Sequence, residues 1–352
     1  MGRAGHVKTH RLPRCYQSLK DKKILITGAA GFIGGAVYNR IAEYGLMPTA
    51  TVLYPEEATA FHARNQEAVV LDLTSDAPWD TILEGIDIVF HIAAMFQEIG
   101  SGRQAYEKAN HHGALKLAKA AERAGVERFV HCSTVGVYGD VKEVPATEAA
   151  PFNPMDEYHE TKLAGELAIL EWGRSLPSDG MVVVVNRPAM VYGPGDMRML
   201  KLFKAILTQR FLMIGSGQTL AHLGYIEDQV DSFLLCAVAP RENVHLQAFN
   251  IASGDPMTLT MLCQQIADIG GVALSKHKIP IAPVWLASLL CEIVCKPLGI
   301  KPPLFRRRVG FFTHNRAFDY SKAQAKLGYR PVWESREGIA ETIRWYRENN
   351  LL

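Results

Sequence analysis

Cysteine is scarce in this sequence, and its spacing excludes two kinds of site. Only six cysteines occur among 352 residues, and no two form a C-x-x-C pair. Zinc sites and disulfide-rich secreted domains both need paired or concentrated cysteines. We therefore expect no metal site, no disulfide framework and a reducing compartment. Cys291 and Cys295 lie four residues apart, which is typical of packing along one face of a helix.

The chain also lacks an excess of charge of either sign. Its 38 Lys and Arg residues nearly balance 36 Asp and Glu residues, giving a net charge of +2. We therefore expect a small-molecule partner and no nucleic acid. The first twenty residues contain no acidic residue and lack the apolar segment that a secretory signal needs. We predict a disordered basic tail over residues 1–21 and a cytoplasmic protein.

The length of the chain fits one α/β sheet domain with a smaller appended lobe. Short apolar segments alternate with segments of helical spacing from residue 22 to residue 186. This alternation is the pattern of a doubly wound parallel sheet. The predicted strands cover residues 22–26, 49–54, 67–73, 86–90, 127–132 and 181–185.

A glycine-rich segment joins the first predicted strand to a helix. Gly28 and Gly31 allow the backbone to turn tightly and approach a pyrophosphate, and Gly34 permits close packing of the helix on the strand. The helix N-terminus would then hold the anion. Because a strand precedes the motif and a helix follows it, this interpretation is favoured over a tight turn without a ligand.

The second predicted strand lacks the acidic residue that usually binds the adenosine ribose. It ends in Leu53, Tyr54 and Pro55, and Glu56 and Glu57 come only after the proline. No arginine for a 2′-phosphate replaces the acid. The sequence therefore leaves NAD and NADP open, with a preference for NAD. Asp72, which follows the third strand, could reach the adenine amino group or could be a turn cap.

Tyr158 and Lys162 are candidates for acid–base chemistry. Their spacing of four places both side chains on one face of a helix. A fixed cation favours the phenolate and lowers the pKa of tyrosine, which makes Tyr158 a candidate general base. The alternative is a solvated helical pair. Ser133 and Thr134 follow the fifth strand, at the edge where open parallel sheets bind ligands.

Together these segments resemble the extended short-chain dehydrogenase/reductase superfamily, which includes nucleotide-sugar epimerases and dehydratases and 3β-hydroxysteroid dehydrogenases. The similarity covers nearly the whole chain after residue 21, and the order and spacing of the motifs carry it. The matching residues are Thr27-Gly28-x-x-Gly31-x-x-Gly34, Asp72-Leu73, His91-x-Ala93-Ala94, Asn110, Ser133-Thr134, Val137-Tyr138-Gly139, Tyr158-x-x-x-Lys162, Arg187-Pro188, Val191-Tyr192-Gly193-Pro194-Gly195, Tyr225-Ile226-Glu227-Asp228, Phe249-Asn250-Ile251 and Leu327-Gly328-Tyr329-Arg330-Pro331.

The resemblance implies a Rossmann-type α/β fold and a role for each matching residue. Tyr158 would exchange a proton with the substrate oxygen, while the nicotinamide exchanges a hydride at the same carbon. Lys162 would bind the nicotinamide ribose. Thr134 would orient the substrate oxygen, with Ser133 as the alternative and Asn110 as a supporting residue. The implied cofactor contacts are Gly28, Gly31, Phe32, Ile33, Gly34, Asp72, Leu73, Ala93, Ala94, Tyr158, Lys162 and Pro188.

Two departures from the nucleotide-sugar members favour an apolar substrate. Ala221 stands where those members usually have an arginine, whose guanidinium fork suits a diphosphate. Ala189 and Met190 replace more polar residues. Lys201, Lys204 or Arg308 are alternative sources of positive charge. We therefore predict an enzyme like the 3β-hydroxysteroid or sterol dehydrogenases, which oxidises a secondary alcohol of a bulky apolar substrate to a ketone or catalyses the reverse reaction, with or without decarboxylation of a neighbouring carboxylate. The alternatives are a nucleotide-sugar epimerase or dehydratase and a binding protein without turnover.

The segment 279–312 is apolar and ends near three arginines, Arg306–Arg308. It is too short and proline-rich to span a bilayer, so it is a core helix or a hydrophobic lid that contacts a membrane surface through 281–308. By resemblance we also expect a homodimer. The predicted division of the chain is a cofactor domain at 22–190 with 222–254 and 314–330, a mostly C-terminal substrate lobe at 191–221 and 255–313, and a C-terminal helix at 331–352.

Overall fold

A computed structural model describes residues 13–96, 102–295 and 306–352. Its centre is a parallel sheet of seven strands. They are β1 (Ile24–Thr27), β2 (Thr49–Val52), β3 (Ala68–Val70), β4 (Ile88–His91), β5 (Arg128–Cys132), β6 (Val182–Pro188) and β7 (Gln247–Ile251). Their order in the sheet is β3-β2-β1-β4-β5-β6-β7. This confirms the predicted doubly wound fold.

The sheet is buried on both faces, which explains the unbroken apolar segments of its central strands. Side chains alternate across β1, so Ile24 and Ile26 pack in one core and Leu25 packs in the other. The first core includes the helices Pro13–Leu19, Phe32–Glu43, Pro55–His62, Ile226–Val238 and Ser321–Leu327. The second includes Trp79–Ile82, Ala114–Arg123 and Glu157–Gly173.

The smaller lobe has its own core, around Phe203, Ile266 and Ile343. Its helices are Leu200–Leu207, Leu259–Gly270, Ile281–Cys295, Arg306–Thr313 and Ser335–Glu348. Its short strands are Met190–Tyr192, Met213–Ile214, Leu220–Ala221, Leu223–Tyr225, Met257–Thr258 and Lys278–Ile279. The remaining elements are the helices Arg103–Tyr106 and Arg241–Val244, the π-helical turn Glu107–Gly113 and the 3₁₀ turn Val135–Tyr138.

The N-terminal segment differs from the prediction of a disordered tail through residue 21. Pro13–Leu19 forms a helix, and Cys15 and Leu19 are buried in the sheet core. The burial of these two apolar side chains offsets the entropy cost of ordering this segment. Residues 1–12 lie outside the described part of the chain.

The strand order places the cofactor crevice. The chain passes from β1 outward to β3 and then returns to β4, beside β1. The connections that follow β1 and β4 therefore run in opposite directions along the sheet. Doubly wound sheets bind ligands at this reversal, beyond the carboxyl ends of the strands. The segments that follow β1, β4 and β5 carry the glycine motif, Ala93 with Ala94, and Ser133 with Thr134.

Candidate active site

A cavity of about 490 Å³ lies at the carboxyl ends of the strands. All of the sequence-predicted site residues except Asn110 line it. Its walls are Gly28, Ala30–Gly34, Thr51–Tyr54, Glu57, Leu71–Thr74, Ile92–Phe96, Ala109, Cys132–Thr134, Tyr158, Lys162, Pro188, Ala189, Val191 and Arg198. The structure thus brings the glycine motif, the predicted acid–base pair and the end of β5 to one cavity.

The glycine motif forms a cradle that side chains would fill. Gly28 has φ +72°, and a Cβ there would lie 2.8 Å from Ala93 Cα. A Cβ on Gly34 would lie 2.2 Å from the Gly28 carbonyl oxygen. No side chain caps the following helix, Phe32–Glu43, at its N-cap Gly31. Its first N–H groups are therefore available to an anion, and the motif fits the pyrophosphate of a dinucleotide.

Carboxylates define the other end of the cleft. Asp72 Oδ1 accepts hydrogen bonds from the Thr74 N–H and hydroxyl, both at 2.8 Å. Glu57 Oε2 accepts from the backbone N–H groups of Leu53 at 3.0 Å and Tyr54 at 3.1 Å. Sequence reasoning looked for an acid at the end of β2 itself and did not identify Glu57 as a cavity residue.

Tyr158 and Lys162 lie on the helix Glu157–Gly173 and both line the cavity. Asp156 begins this helix by accepting a hydrogen bond from the His159 N–H at 2.9 Å. The Phe96 ring packs edge-on against the Tyr158 ring, with 4.7 Å between centroids. The aromatic contact and the capped first turn fix Tyr158 at the cavity wall.

Lys162 is almost completely buried, with 1% of its surface exposed. Burial lowers the pKa of its ammonium group, and the nearby Cys132 and Glu166 partly oppose this effect. No described residue accepts a hydrogen bond from Lys162 Nζ in this structure. A donor at the cavity wall without a partner among the described residues fits a ligand that supplies acceptors, such as the hydroxyls of a ribose.

The two hydroxyls after β5 have different environments. Thr134 Oγ1 accepts a hydrogen bond from the Gly136 N–H at 3.0 Å and so begins a 3₁₀ turn, while its proton remains available. Ser133 is buried, and its hydroxyl has no partner among the described residues. Both residues line the cavity, so the choice between them as the orienting hydroxyl stays a prediction.

Asn110 lies behind the wall of the cavity. Its amide exchanges two hydrogen bonds with the backbone of Met95, at 2.8 and 3.1 Å, and donates to Thr161 Oγ1 at 3.2 Å. It thereby joins the segment after β4 to the helix that carries Tyr158. This geometry is compatible with the supporting role that the resemblance implied, and that role stays a prediction.

His91 is a core residue beneath the cavity. The Thr27 hydroxyl accepts from the N–H groups of Ile92 and Ala93, so its own proton is available to His91 Nδ1 at 2.8 Å. Burial, together with the smaller effect of the nearby Lys162 ammonium, lowers the pKa of His91 to about 3. His91 is therefore neutral at ordinary pH.

Sequence reasoning missed Arg198, the second cationic side chain in the described cavity wall. Its Nε donates to Asp196 Oδ1 and an Nη donates to the Val191 carbonyl, both at 3.0 Å. The guanidinium lies over the rings of Phe32 and Phe96. No local pattern marks this position, because its partners come from three separate segments.

Two of the three charged residues named as alternatives, Lys201 and Lys204, do not line the described cavity. Ala221 is buried in a short strand, and the side chains of Lys201 and Lys204 lie outside the wall. Lys204 Nζ instead donates to the Leu351 carbonyl oxygen at 3.0 Å. The Arg308 side chain lies outside the described part of the structure.

Known proteins with similar sequences include several steroid and sterol dehydrogenases. The 3-beta-hydroxysteroid dehydrogenase of Mycolicibacterium neoaurum is 27% identical over 347 residues, covering 93% of this chain and 92% of its own. A 3beta-hydroxysteroid-dehydrogenase/decarboxylase of Arabidopsis thaliana is 28% identical, covering 92% and 79%. The decarboxylating sterol-4-alpha-carboxylate 3-dehydrogenase of Schizosaccharomyces pombe is 27% identical, covering 92% and 96%.

Solved structures share the fold. The crystal structure of gox2253 has a TM-score of 0.78 and 23% identity, covering 94% of this chain and 100% of its own. MoeE5 in complex with UDP-glucose and NAD has a TM-score of 0.72 and 25% identity, covering 93% and 99%. The model of the NAD dependent epimerase/dehydratase family matches residues 24–252. The chain therefore belongs to the NAD dependent epimerase/dehydratase family, within the extended short-chain dehydrogenase/reductase superfamily, and is an NAD-dependent enzyme.

Proposed function

We propose that the protein oxidises a secondary hydroxyl group of a sterol or steroid to a ketone, with NAD as the hydride acceptor. The carrying observation is the apolar wall near Tyr158, which is formed by Met95, Phe96, Ala189 and Val191. Outside the glycine motif the described wall contains two cations, Lys162 and Arg198, and Ala221 stands where nucleotide-sugar members usually have an arginine, whose guanidinium fork suits the diphosphate of a sugar nucleotide. The steroid and sterol dehydrogenases among the relatives support the same substrate class.

In this proposal each residue acts on one atom of the substrate. Tyr158 accepts the hydroxyl proton, and the Lys162 ammonium favours the phenolate that this requires. Thr134, or Ser133 in its place, donates to the substrate oxygen and holds the carbon that loses the hydride. NAD supplies the hydride acceptor when it is bound.

Arg198 favours a substrate that also carries a carboxylate. Asp196 and the Val191 carbonyl bind its guanidinium, which lies over the rings of Phe32 and Phe96, and the ring of Phe96 also contacts Tyr158. A carboxylate attached to the carbon beside the hydroxyl-bearing carbon would pair with this cation. Oxidation would then give a β-keto acid. When its bond to the carboxylate breaks, carbon dioxide leaves, and the electron pair of that bond forms an enolate that takes up a proton to give the ketone.

The experiment compares substrates and one matched variant. We expect the wild-type protein to form NADH from NAD and a 3β-hydroxysterol, and more rapidly from its 4-carboxylated analogue. Tyr158→Phe should abolish turnover and retain NAD binding, because it removes only the hydroxyl. Interconversion of UDP-sugars without release of NADH would instead support the epimerase alternative and contradict the proposal.

We also propose that the helix Ile281–Cys295 contacts a membrane surface. Its side chains Trp285, Leu286, Leu290, Ile293 and Val294 are between 44% and 61% exposed. Lys276 and Lys278 precede it and are exposed, and the chain has further basic residues after it. Exposed apolar side chains flanked by basic residues favour an interfacial helix. The structure has no described helix that is long and apolar enough to cross a bilayer.

Vesicle binding tests this contact. We expect the protein to sediment with anionic phospholipid vesicles and the double variant Leu290→Glu, Ile293→Glu to remain in the supernatant. Met47→Glu is the matched control, because Met47 is an exposed apolar side chain elsewhere on the surface. Equal sedimentation of all three proteins, or none for the wild type, would contradict the proposal.

We further propose a homodimer through the helices Ala114–Arg123 and Glu157–Gly173. These helices lie together on one face of the sheet, and Leu167 on the second is 44% exposed. Leu167→Glu places a charge on this face and should shift sedimentation from dimer to monomer. A wild-type monomer would contradict this proposal.

A further inference from the structure

We infer that Glu57 replaces the acid missing from the end of β2 and selects NAD over NADP. This rests on NAD binding at the cavity and deepens the proposed function. It does not depend on which alcohol is oxidised. The residue that selects the cofactor thus belongs to a helix rather than to the strand.

Hydrogen bonds to the backbone hold the Glu57 side chain at the end of β2. β2 ends at Val52, and the helix Pro55–His62 begins two residues after Leu53. Glu57 lies in the first turn of that helix, and its Oε2 accepts the N–H groups of both Leu53 and Tyr54. These bonds hold the carboxylate at the carboxyl end of β2, where doubly wound folds bind the adenosine ribose.

One oxygen of this carboxylate remains available. Both hydrogen bonds end on Oε2, and no described residue donates to Oε1, while the side chain lines the cavity. A carboxylate oxygen accepts strongly from a hydroxyl. Glu57 Oε1 is therefore placed to accept from the 2′-hydroxyl of the adenosine ribose.

The charge of this end of the cavity disfavours a 2′-phosphate. At this end the described wall contains two carboxylates, Glu57 and Asp72. The two cations of the cavity, Lys162 and Arg198, lie instead at the end formed by Tyr158 and Phe96. In the described wall at this end a 2′-phosphate would meet no guanidinium group and would face two negative charges. NADP is excluded by repulsion as well as by the lost hydroxyl contact.

Glu57 also caps its helix, so the test must separate the two roles. Glu57→Gln retains a carbonyl oxygen for the N–H groups of Leu53 and Tyr54 and removes the negative charge. Glu57→Ala removes both. Glu56→Gln is the matched control, since Glu56 is an exposed neighbour outside the cavity wall.

The measurement is the Kd of NAD and of NADP for each purified protein by titration calorimetry without substrate, with thermal unfolding as a check on folding. We expect the wild type to prefer NAD and Glu57→Gln to reduce that preference by about tenfold, from one lost charge-assisted hydrogen bond. Glu56→Gln should match the wild type, and Glu57→Ala should also unfold at a lower temperature.

Two results would overturn the inference. One is a folded Glu57→Gln protein with the wild-type ratio of NAD to NADP affinity, and the other is a wild-type protein that binds NADP as tightly as NAD. Because the assay measures cofactor binding alone, inactivity toward sterols would contradict the proposed function and leave this inference intact.

Discussion

The buried ion pair between Glu166 and Arg187 makes a direct test of how the active-site helix is held. Glu166 lies on the helix Glu157–Gly173 and Arg187 on β6, and the two residues are 0% and 3% exposed. Arg187 Nε is 3.1 Å from each carboxylate oxygen, and an Nη also donates to Glu166. The other Nη donates to the Tyr138 hydroxyl. The perturbation is Glu166→Gln, which keeps the shape and removes the charge.

The expected loss in the free energy of unfolding is about 3 kcal/mol. Breaking a buried pair from one side costs about 3–5 kcal/mol, because the remaining charge is left uncompensated. The lower value applies here, since the glutamine oxygen and Tyr138 still accept from Arg187. A native stability of about 5–15 kcal/mol allows such a variant to fold. The pKa of Lys162 should also fall further in this variant, because the variant lacks the Glu166 carboxylate that opposes the effect of burial in the wild type.

Urea unfolding at neutral pH measures this change. The control is Glu341→Gln, which breaks an exposed pair with Arg344 at 2.9 Å. Exposed pairs contribute about 0–1 kcal/mol. The double variant Glu166→Leu, Arg187→Met should lose less free energy of unfolding than the sum of the losses for the two single variants. Its paired apolar replacements remove both buried charges and leave neither uncompensated. Equal losses for Glu166→Gln and Glu341→Gln would refute the reasoning.

Three further predictions concern the cavity and the core beneath it. Gly34→Ala should weaken NAD binding by more than about tenfold in calorimetry, because its Cβ would meet a backbone oxygen at 2.2 Å. Asn110→Leu should lower the free energy of unfolding in urea by about 2 kcal/mol and reduce turnover, because the N–H and carbonyl groups of Met95 lose their hydrogen-bond partner. Native His91 has a pKa of about 3 against 6.5 when unfolded, so its stabilising effect is complete above pH 6.5 and is lost toward pH 3. Between pH 7 and 5 this loss is about 2 kcal/mol, and His91→Asn should reduce the measured difference.

Local sequence patterns predicted most of the sheet and most of the cavity. The apolar segments gave six of the seven strands within a few residues, whereas β7 was not predicted as a strand, and the glycine motif and the Tyr158–Lys162 pair line one cavity as predicted. These signals are local, since turn geometry and helical spacing depend on near neighbours. NAD, which was left open beside NADP, is confirmed by the family.

Residues fixed by tertiary contacts were missed. Arg198 and Phe96 reach the cavity through contacts between distant segments, and no spacing in the chain marks them. Glu57 was missed because it belongs to the helix after β2, and only the hydrogen bond of its side chain to Leu53 places it at the end of the strand. The predicted disorder of residues 13–21 was wrong, because burial of Cys15 and Leu19 depends on the sheet.

The helix that carries Tyr158 and Lys162 is positioned by residues that do not line the described cavity. Asp156 caps its start, Asn110 binds Thr161, and Glu166 pairs with Arg187. A Cβ on Gly165 would lie 2.1 Å from the Asn110 carbonyl oxygen, so the helix packs directly on the π-helical turn. Because these contacts set where the phenol lies without touching a ligand, their loss should reduce turnover more than NAD affinity. Loss of cradle residues such as Gly34 should reduce NAD affinity first, so the two groups of variants separate positioning from binding.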